Sequence, residues 1–182
     1  RNPADAKQIV RLQIPNFYLP SNPTRDYDLS KPIDRLVCLS STHIGMLSEL
    51  NLENRIVGVS NLKYVYNEKL ISSSPVELGE EQTLSAEKII SSRAQAVVYS
   101  GFSNVFPKQD VLHKLGIQTL PNYDWREAHP LGRAEWILLF GYLTGHAKEA
   151  KKKFKEICEN YQRIKNQIQN DKMIQTLSGN MT

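Results

Sequence analysis

The chain has 182 residues, 40% hydrophobic and 23% charged, with 23 Lys and Arg against 19 Asp and Glu for a net charge of +4. That composition suits a globular domain with one sizeable core and excludes a disordered tail, a collagen-like fibre and a disulfide-dense mini-protein. Apart from one Gly, the longest apolar stretch runs from Trp136 to Leu143, well short of the roughly 20 residues a membrane span needs.

Residues 1–34 read as an extended N-terminal segment packing on the domain that follows. Ile9 to Ile14 alternates like a short strand, and Pro15, Pro20, Pro23 and Pro32 then punctuate the chain. Arg1 is not an initiator Met, so a segment is expected to have been removed ahead of it. Four short apolar runs follow: Leu36–Leu39, Ile56–Val59, Ala96–Tyr99 and Ile117–Leu120. Continuous runs of this length are what strands buried on both faces require. Helical spacing marks Thr42–Leu50, Leu84–Ser92 with Ser85 as its cap, and Val111–Leu115 with Gly116 as its stop. Strand and helix in alternation predict an α/β, Rossmann-like lobe over 35–145, a mainly parallel sheet flanked by helices. Leu131–Thr144 reads as one helix, opened by Pro130 and broken by Gly145. A long helix is then expected over 146–170, with apolar residues every three or four positions from Ala147 to Ile168. Eight basic and four acidic residues between Lys148 and Lys172 account for the whole positive excess, which reads as the solvated face of that helix and not as a nucleic-acid surface. Met173 to Gly179 reads as a new strand within 171–182.

Ligands of open α/β sheets bind beyond the carboxyl ends of the strands. Four loops there, Ser40–His43, Ser60–Tyr66, Ser100–Val105 and Asn122–His129, carry Ser41, Thr42, His43, Asn61, Tyr64, Tyr66, Phe102, Trp125, Arg126, Glu127 and His129. Aromatics, hydroxyls and a few charges on one edge suit a sizeable organic ligand better than a catalytic cage. No GxSxG elbow, Walker A loop or GxGxxG turn is present, so the reading is not an enzyme. Cys38 and Cys158 have neither CxxC spacing nor a nearby His, and read as two small buried hydrophobes. His43, Glu127 and His129 form an alternative set for a divalent metal such as zinc or manganese, although no HxH or HxxxH spacing organises them, and His129 equally suits a helix cap. Glu87 falls in the first turn of its helix, where a carboxylate suits the dipole.

Several segments together resemble the N-terminal lobe of the ABC-transporter substrate-binding proteins for ferric siderophores, haem and cobalamin, the class III periplasmic binding proteins. Arg35–His43 resembles that family's first strand and ligand-facing turn, Asn54–Ser60 its second strand, and Leu84-Ser85-Ala86-Glu87-Lys88-Ile89-Ile90 its L-x-x-E-K-I helix. Trp125-Arg126-Glu127-Ala128-His129-Pro130-Leu131-Gly132-Arg133-Ala134-Glu135-Trp136-Ile137 is the strongest match, resembling the E-x-x-P-L-G-R-A-E-W-I segment of an iron-compound-binding branch. Coverage runs from about residue 8 to the end.

The resemblance implies two α/β lobes joined by one long rigid helix, here 146–170, with ligand held in the cleft between them. It implies a periplasmic or cell-envelope protein, possibly lipid-anchored, that delivers its small-molecule ligand to an ABC permease in the inner membrane. No resident cofactor follows from it; the bound ligand would be an iron chelate, haem or corrinoid. Tyr64, Phe102 and Trp125 would supply flat contact, and Ser41, Thr42 and His43 hydrogen bonds. Glu127 lies beside them, and Arg126 or Arg133 would pair with anionic oxygens, Arg133 equally bridging Glu127 or Glu135. Glu87 matches the carboxylate that docks on the permease. Residues 171–182 would then be the first strand of a second, truncated lobe. A single lobe that acts as an interaction module without transport is the alternative from another class.

Overall fold

The computed structural model describes residues 9–13, 24–28, 31–102 and 106–168. The N-terminal segment holds two strands, β1 (Ile9–Gln13) and β2 (Thr24–Asp28), paired antiparallel with Ile9 opposite Asp28. The main sheet is built from β3 (Leu36–Cys38), β4 (Ile56–Val59), β5 (Val76–Glu77), β6 (Ala96–Tyr99) and β7 (Gln118–Pro121). All neighbours are parallel and the spatial order is β5-β4-β3-β6-β7. The apolar runs explain the order. β3 and β6 are buried at every position and lie inside the sheet, whereas β7, which ends in Pro121, lies at an edge where a missing N–H does least harm.

Each face of the sheet has its own core. On one face α1 (Ser41–Glu49), α2 (Glu68–Ser72) and α6 (Ile137–Thr144) cover Leu36, Cys38, Val98 and Leu120. On the other, α3 (Ala86–Ser91) and α4 (Gln109–Lys114) cover Val37, Val97 and Tyr99. Side-chain alternation along β3 and β6 feeds both layers at once. The chain steps outward from β3 to β4 and β5, then returns to β6 and β7. The connections leaving β3 and β6 therefore diverge, which opens a crevice at the carboxyl ends of those two neighbours.

The elements differ from the sequence expectation in two respects. The helix expected over Leu131–Thr144 is two helices, α5 (Pro130–Glu135) and α6, broken at Trp136. There the ladder slips to i→i+3 bonds, Trp136 N to Arg133 O at 3.4 Å and Leu139 N to Trp136 O at 3.1 Å, while the Trp136 indole donates to Glu127 Oε1 at 3.2 Å. β5 and α2 have no counterpart in the sequence reading, being two and five residues long.

The long helix α7 runs over Ala147–Ile168. Its first turns seat Ala150 fully in the core and pack Phe154 against it, and Lys153 pairs with Glu49 of α1 at 2.9 Å. Further along, Ile164 and Ile168 are exposed, so the apolar stripe outruns what the described residues cover. Cys38 is buried and Cys158, on α7, half-buried, both as free thiols; the second is less enclosed than its helical pattern suggests. The strand expected within 171–182 lies outside the described residues.

Candidate functional site at the carboxyl edge of the sheet

The site is assembled from the loops that leave the strands. After β3, Ser40 caps α1, its Oγ accepting from Thr42 N at 3.3 Å and meeting Thr42 Oγ1 at 3.0 Å. That cap turns Ser41 and Thr42 out to solvent at the edge. After β4, Asn61 Oδ1 accepts from Lys63 N at 2.9 Å and Glu77 Oε1 from Leu62 N at 3.2 Å. This turn presents Tyr64 at 57% and Tyr66 at 86% exposure.

After β6 the chain turns through Gly101, whose φ is +62° and whose missing Cβ would stand 2.4 Å from Tyr123 Cε1. Glycine takes that left-handed backbone at no steric cost, and the contact leaves no room for a Cβ. The turn throws Phe102 outward, 67% exposed, with its ring centroid 4.6 Å from that of Trp125. Trp125 follows β7. Its indole donates to Ser100 O at 2.6 Å, which ties the β7 loop to the β6 loop. The Arg126 guanidinium lies over the Trp125 ring at 4.8 Å and over Tyr123 at 5.6 Å. Phe102, Trp125 and Arg126 thus form one shelf, fixed at its root by Ser100.

Other sequence candidates go elsewhere. His43 turns inward from the first turn of α1 and is wholly buried, with its ring centroid 6.0 Å from that of Phe140. Neither ring nitrogen has a well-formed hydrogen bond. Burial holds its pKa at about 3, and the Val98 backbone opposes only part of that shift. It does not face the edge that Ser41 and Thr42 face. His129 caps α5 by accepting from Leu131 N at Nδ1, 3.1 Å, and its Nε2 meets Tyr161 Oη of α7 at 3.3 Å. The Glu127 carboxylate receives the Trp136 indole and rests against Gly132, where a Cβ would stand 2.9 Å from Oε2. Arg133 Nε donates to the Glu127 carbonyl at 3.0 Å, so Arg133 bridges the Glu127 backbone. The His43–Glu127–His129 metal set is therefore dispersed: one member is in the core, one is held under Trp136 and one caps a helix. Among the described residues no three His, Cys, Asp or Glu side chains are grouped to hold a metal ion.

Glu87 is fully exposed in the first turn of α3. Its carboxyl is held below the ordinary range by its own backbone N–H, by the Ser85 hydroxyl at 2.8 Å and by the charge of Lys108.

Glu81 is on the edge without any sequence signal. The connection from β5 to α3 must cross back over β4 and β3, because its strand returns beside β3. Leu78 N and Gly79 N bond to Val59 O and Ser60 O at 2.9 Å each, which starts the crossing above β4. By Glu81 it has reached β6, where the carboxylate takes a hydrogen bond from the Ser100 backbone. Leu84 then drops into the second core.

The family model for periplasmic binding proteins matches residues 36–178. The chain belongs to the periplasmic binding protein family. An uncharacterized lipoprotein of Methanocaldococcus jannaschii is 24% identical over 155 residues, covering 78% of this chain and 37% of that protein. An ABC-type Fe3+-hydroxamate transport system protein of Saccharomonospora viridis has the same fold at a TM-score of 0.58 and 17% identity, over 80% of this chain and 54% of that one. The periplasmic haem-binding protein HutB of Vibrio cholerae matches at 0.59 and 21%, over 78% and 51%. The chain thus spans about half the length of these solved periplasmic binding proteins. The family is one of binding proteins and not of enzymes. Among the described residues no helix is long and apolar enough to cross a membrane.

Proposed function

We propose that this chain supplies one ligand-binding wall of the substrate-binding protein of an ABC importer, for an iron chelate, haem or corrinoid. The observation that carries the reading is the convergence of exposed Tyr64, Phe102 and Trp125 on the carboxyl edge of one parallel sheet, with Arg126 laid on the Trp125 ring. Large aromatics left in water on one edge mark a surface meant to be covered. Flat rings suit a tetrapyrrole or the apolar flank of a chelate, and a guanidinium suits the anionic oxygens such ligands carry. The Fe3+-hydroxamate and haem proteins of the same fold support this choice of ligand class. Ser41 and Thr42, exposed at the first turn of α1, would add hydrogen bonds from the β3 loop. The lipoprotein relative supports a place in the cell envelope, anchored by lipid. Ile164 and Ile168, exposed on α7, are the stripe that a further lobe carried on this helix would cover.

Calorimetric titration of the chain with a ferric trishydroxamate, haemin and cobalamin tests this. At least one is expected to bind, and Trp125→Ala is expected to weaken it about tenfold, through the ring contact and the loss of the Ser100 anchor. No heat with any of the three would sink the reading.

Glu87, fully exposed in the first turn of α3, would dock on the permease. Glu87→Lys is expected to leave the titrations unchanged and to abolish ligand-stimulated ATP hydrolysis by the permease. Retained stimulation would remove the docking role.

A further inference from the structure

We infer that Glu81 is a ligand-contacting residue that selects ligands presenting an ammonium or other strong hydrogen-bond donor to the centre of the edge. The inference rests on the binding role proposed above and adds to it the polarity of the ligand. Position is the first ground. The β5–α3 connection starts above the carboxyl end of β4 and by Glu81 has reached the loop that leaves β6, one of the two strands at whose carboxyl ends the crevice of this topology opens. Ser100 joins Glu81 to the aromatic shelf: its backbone bonds to the Glu81 carboxylate, and its carbonyl accepts from the Trp125 indole at 2.6 Å. Glu81 and Trp125 are therefore both tied to the backbone of one edge residue.

Valence is the second ground. An ionised carboxylate accepts at about four lone-pair sites. The Ser100 backbone is the one partner found for Glu81 among the described residues, and Glu81 is half-buried before any ligand arrives. That burial already raises its carboxyl, with the Ser100 bond working the other way. A ligand that closes over the edge removes the remaining water. A carboxylate buried without a donor is penalised, so a ligand made only of acceptors is disfavoured there, while one that brings a cation or donors is favoured. Arg126, on the shelf, prefers the opposite sign. The edge is thus bipolar, with an acceptor near the middle and a guanidinium on the β7 side, and it orients a ligand that has both an anionic and a cationic end.

Two ferric trishydroxamates separate this from simple ring contact: a linear one carrying a terminal ammonium, and its cyclic counterpart without it. Titrated into the chain at pH 7.5, the linear chelate is expected to bind about tenfold more tightly. Glu81→Gln keeps an oxygen for Ser100 and the same shape, and is expected to bring the two within about twofold; Glu81→Ala, with an unchanged melting temperature as the check on folding, is expected to do the same. Equal affinities in the parent chain, or a preference that survives both substitutions, would overturn the role of Glu81 and leave the binding role standing. Binding of neither trishydroxamate, nor of haemin or cobalamin, would overturn both.

Discussion

Lowering the pH from 7.5 to 5 is expected to cost this fold about 2 kcal/mol through His43 alone. An unfolded histidine titrates near 6.5, and in the folded chain burial moves the value to about 3. Between those values the unfolded state binds a proton that the native state refuses, so stability falls as the pH falls. The loss begins below about 6.5, reaches about 2 kcal/mol at pH 5 and approaches about 5 kcal/mol near pH 3, at 1.36 kcal/mol per unit. A domain of this size is stable by only about 5–15 kcal/mol, so this one side chain is enough to set its acid limit. The geometry explains why the relief from Val98 is only partial. The ring packs on Phe140 beneath α1, and the Val98 carbonyl already accepts from Leu39 N at 3.1 Å. Replacing a buried ring that lacks good partners by an apolar group of similar size removes the penalty without leaving a new orphan. His43→Leu is therefore expected to be at least as stable as the parent at pH 7.5 and to lose about 2 kcal/mol less on going to pH 5, read by urea denaturation at both. An identical pH slope in the variant would show that other groups carry the acid sensitivity. Because His43 sits one position beyond Ser41 and Thr42, its protonation would also loosen the turn that holds them at the edge.

Gly141→Ala is expected to destabilise the chain by about 2 kcal/mol, against the trend for an exposed helix. Alanine in place of glycine in a helix ordinarily gains about 1 kcal/mol. Here the added Cβ would stand 2.3 Å from Ala150 Cβ and 3.0 Å from His146 O. Neither neighbour is the free end of a flexible side chain: Ala150 is fully buried on α7, and His146 N is bonded to Gly141 O at 2.7 Å. The helices must separate, and overpacking of this kind costs about 1–3 kcal/mol, occasionally more. Since α7 is seated on the domain through this crossing, the same change would tilt that helix. Adding Ala150→Gly removes the worst contact, so the double variant should be more stable than the sum of the single changes by more than about 1 kcal/mol. Strict additivity in urea denaturation would rule the contact out as the cause.

Much of the architecture was legible in the linear chain because the constraints are local. Strands buried on both faces must be apolar at nearly every position, and β3, β4 and β6 announce themselves as such runs, while β7, at the edge, carries Gln118 and Thr119. Ser85 and His129 cap helices, as Ser and a His before Pro suggest, through bonds to backbone N–H groups within three residues. The aromatic edge was legible too, since strand direction in a parallel sheet sends every loop of one kind to the same side.

Tertiary structure alone decided what depends on phase and on crossing. A helix advances about 100° per residue, so Ser41 and Thr42 face water while His43 faces Phe140, and no property of the tripeptide says which. Glu127 and His129 look like metal ligands in sequence and are instead consumed by Trp136 and Tyr161, partners 9 and 32 residues away. Glu81 follows a strand of two residues and carries no pattern of its own. It meets Ser100 because the order β5-β4-β3-β6-β7 forces its loop back across the sheet. Apolar periodicity is enough to specify elements and the side of the sheet on which the strand-end loops lie; which polar groups stand there is set by packing between residues far apart in the chain.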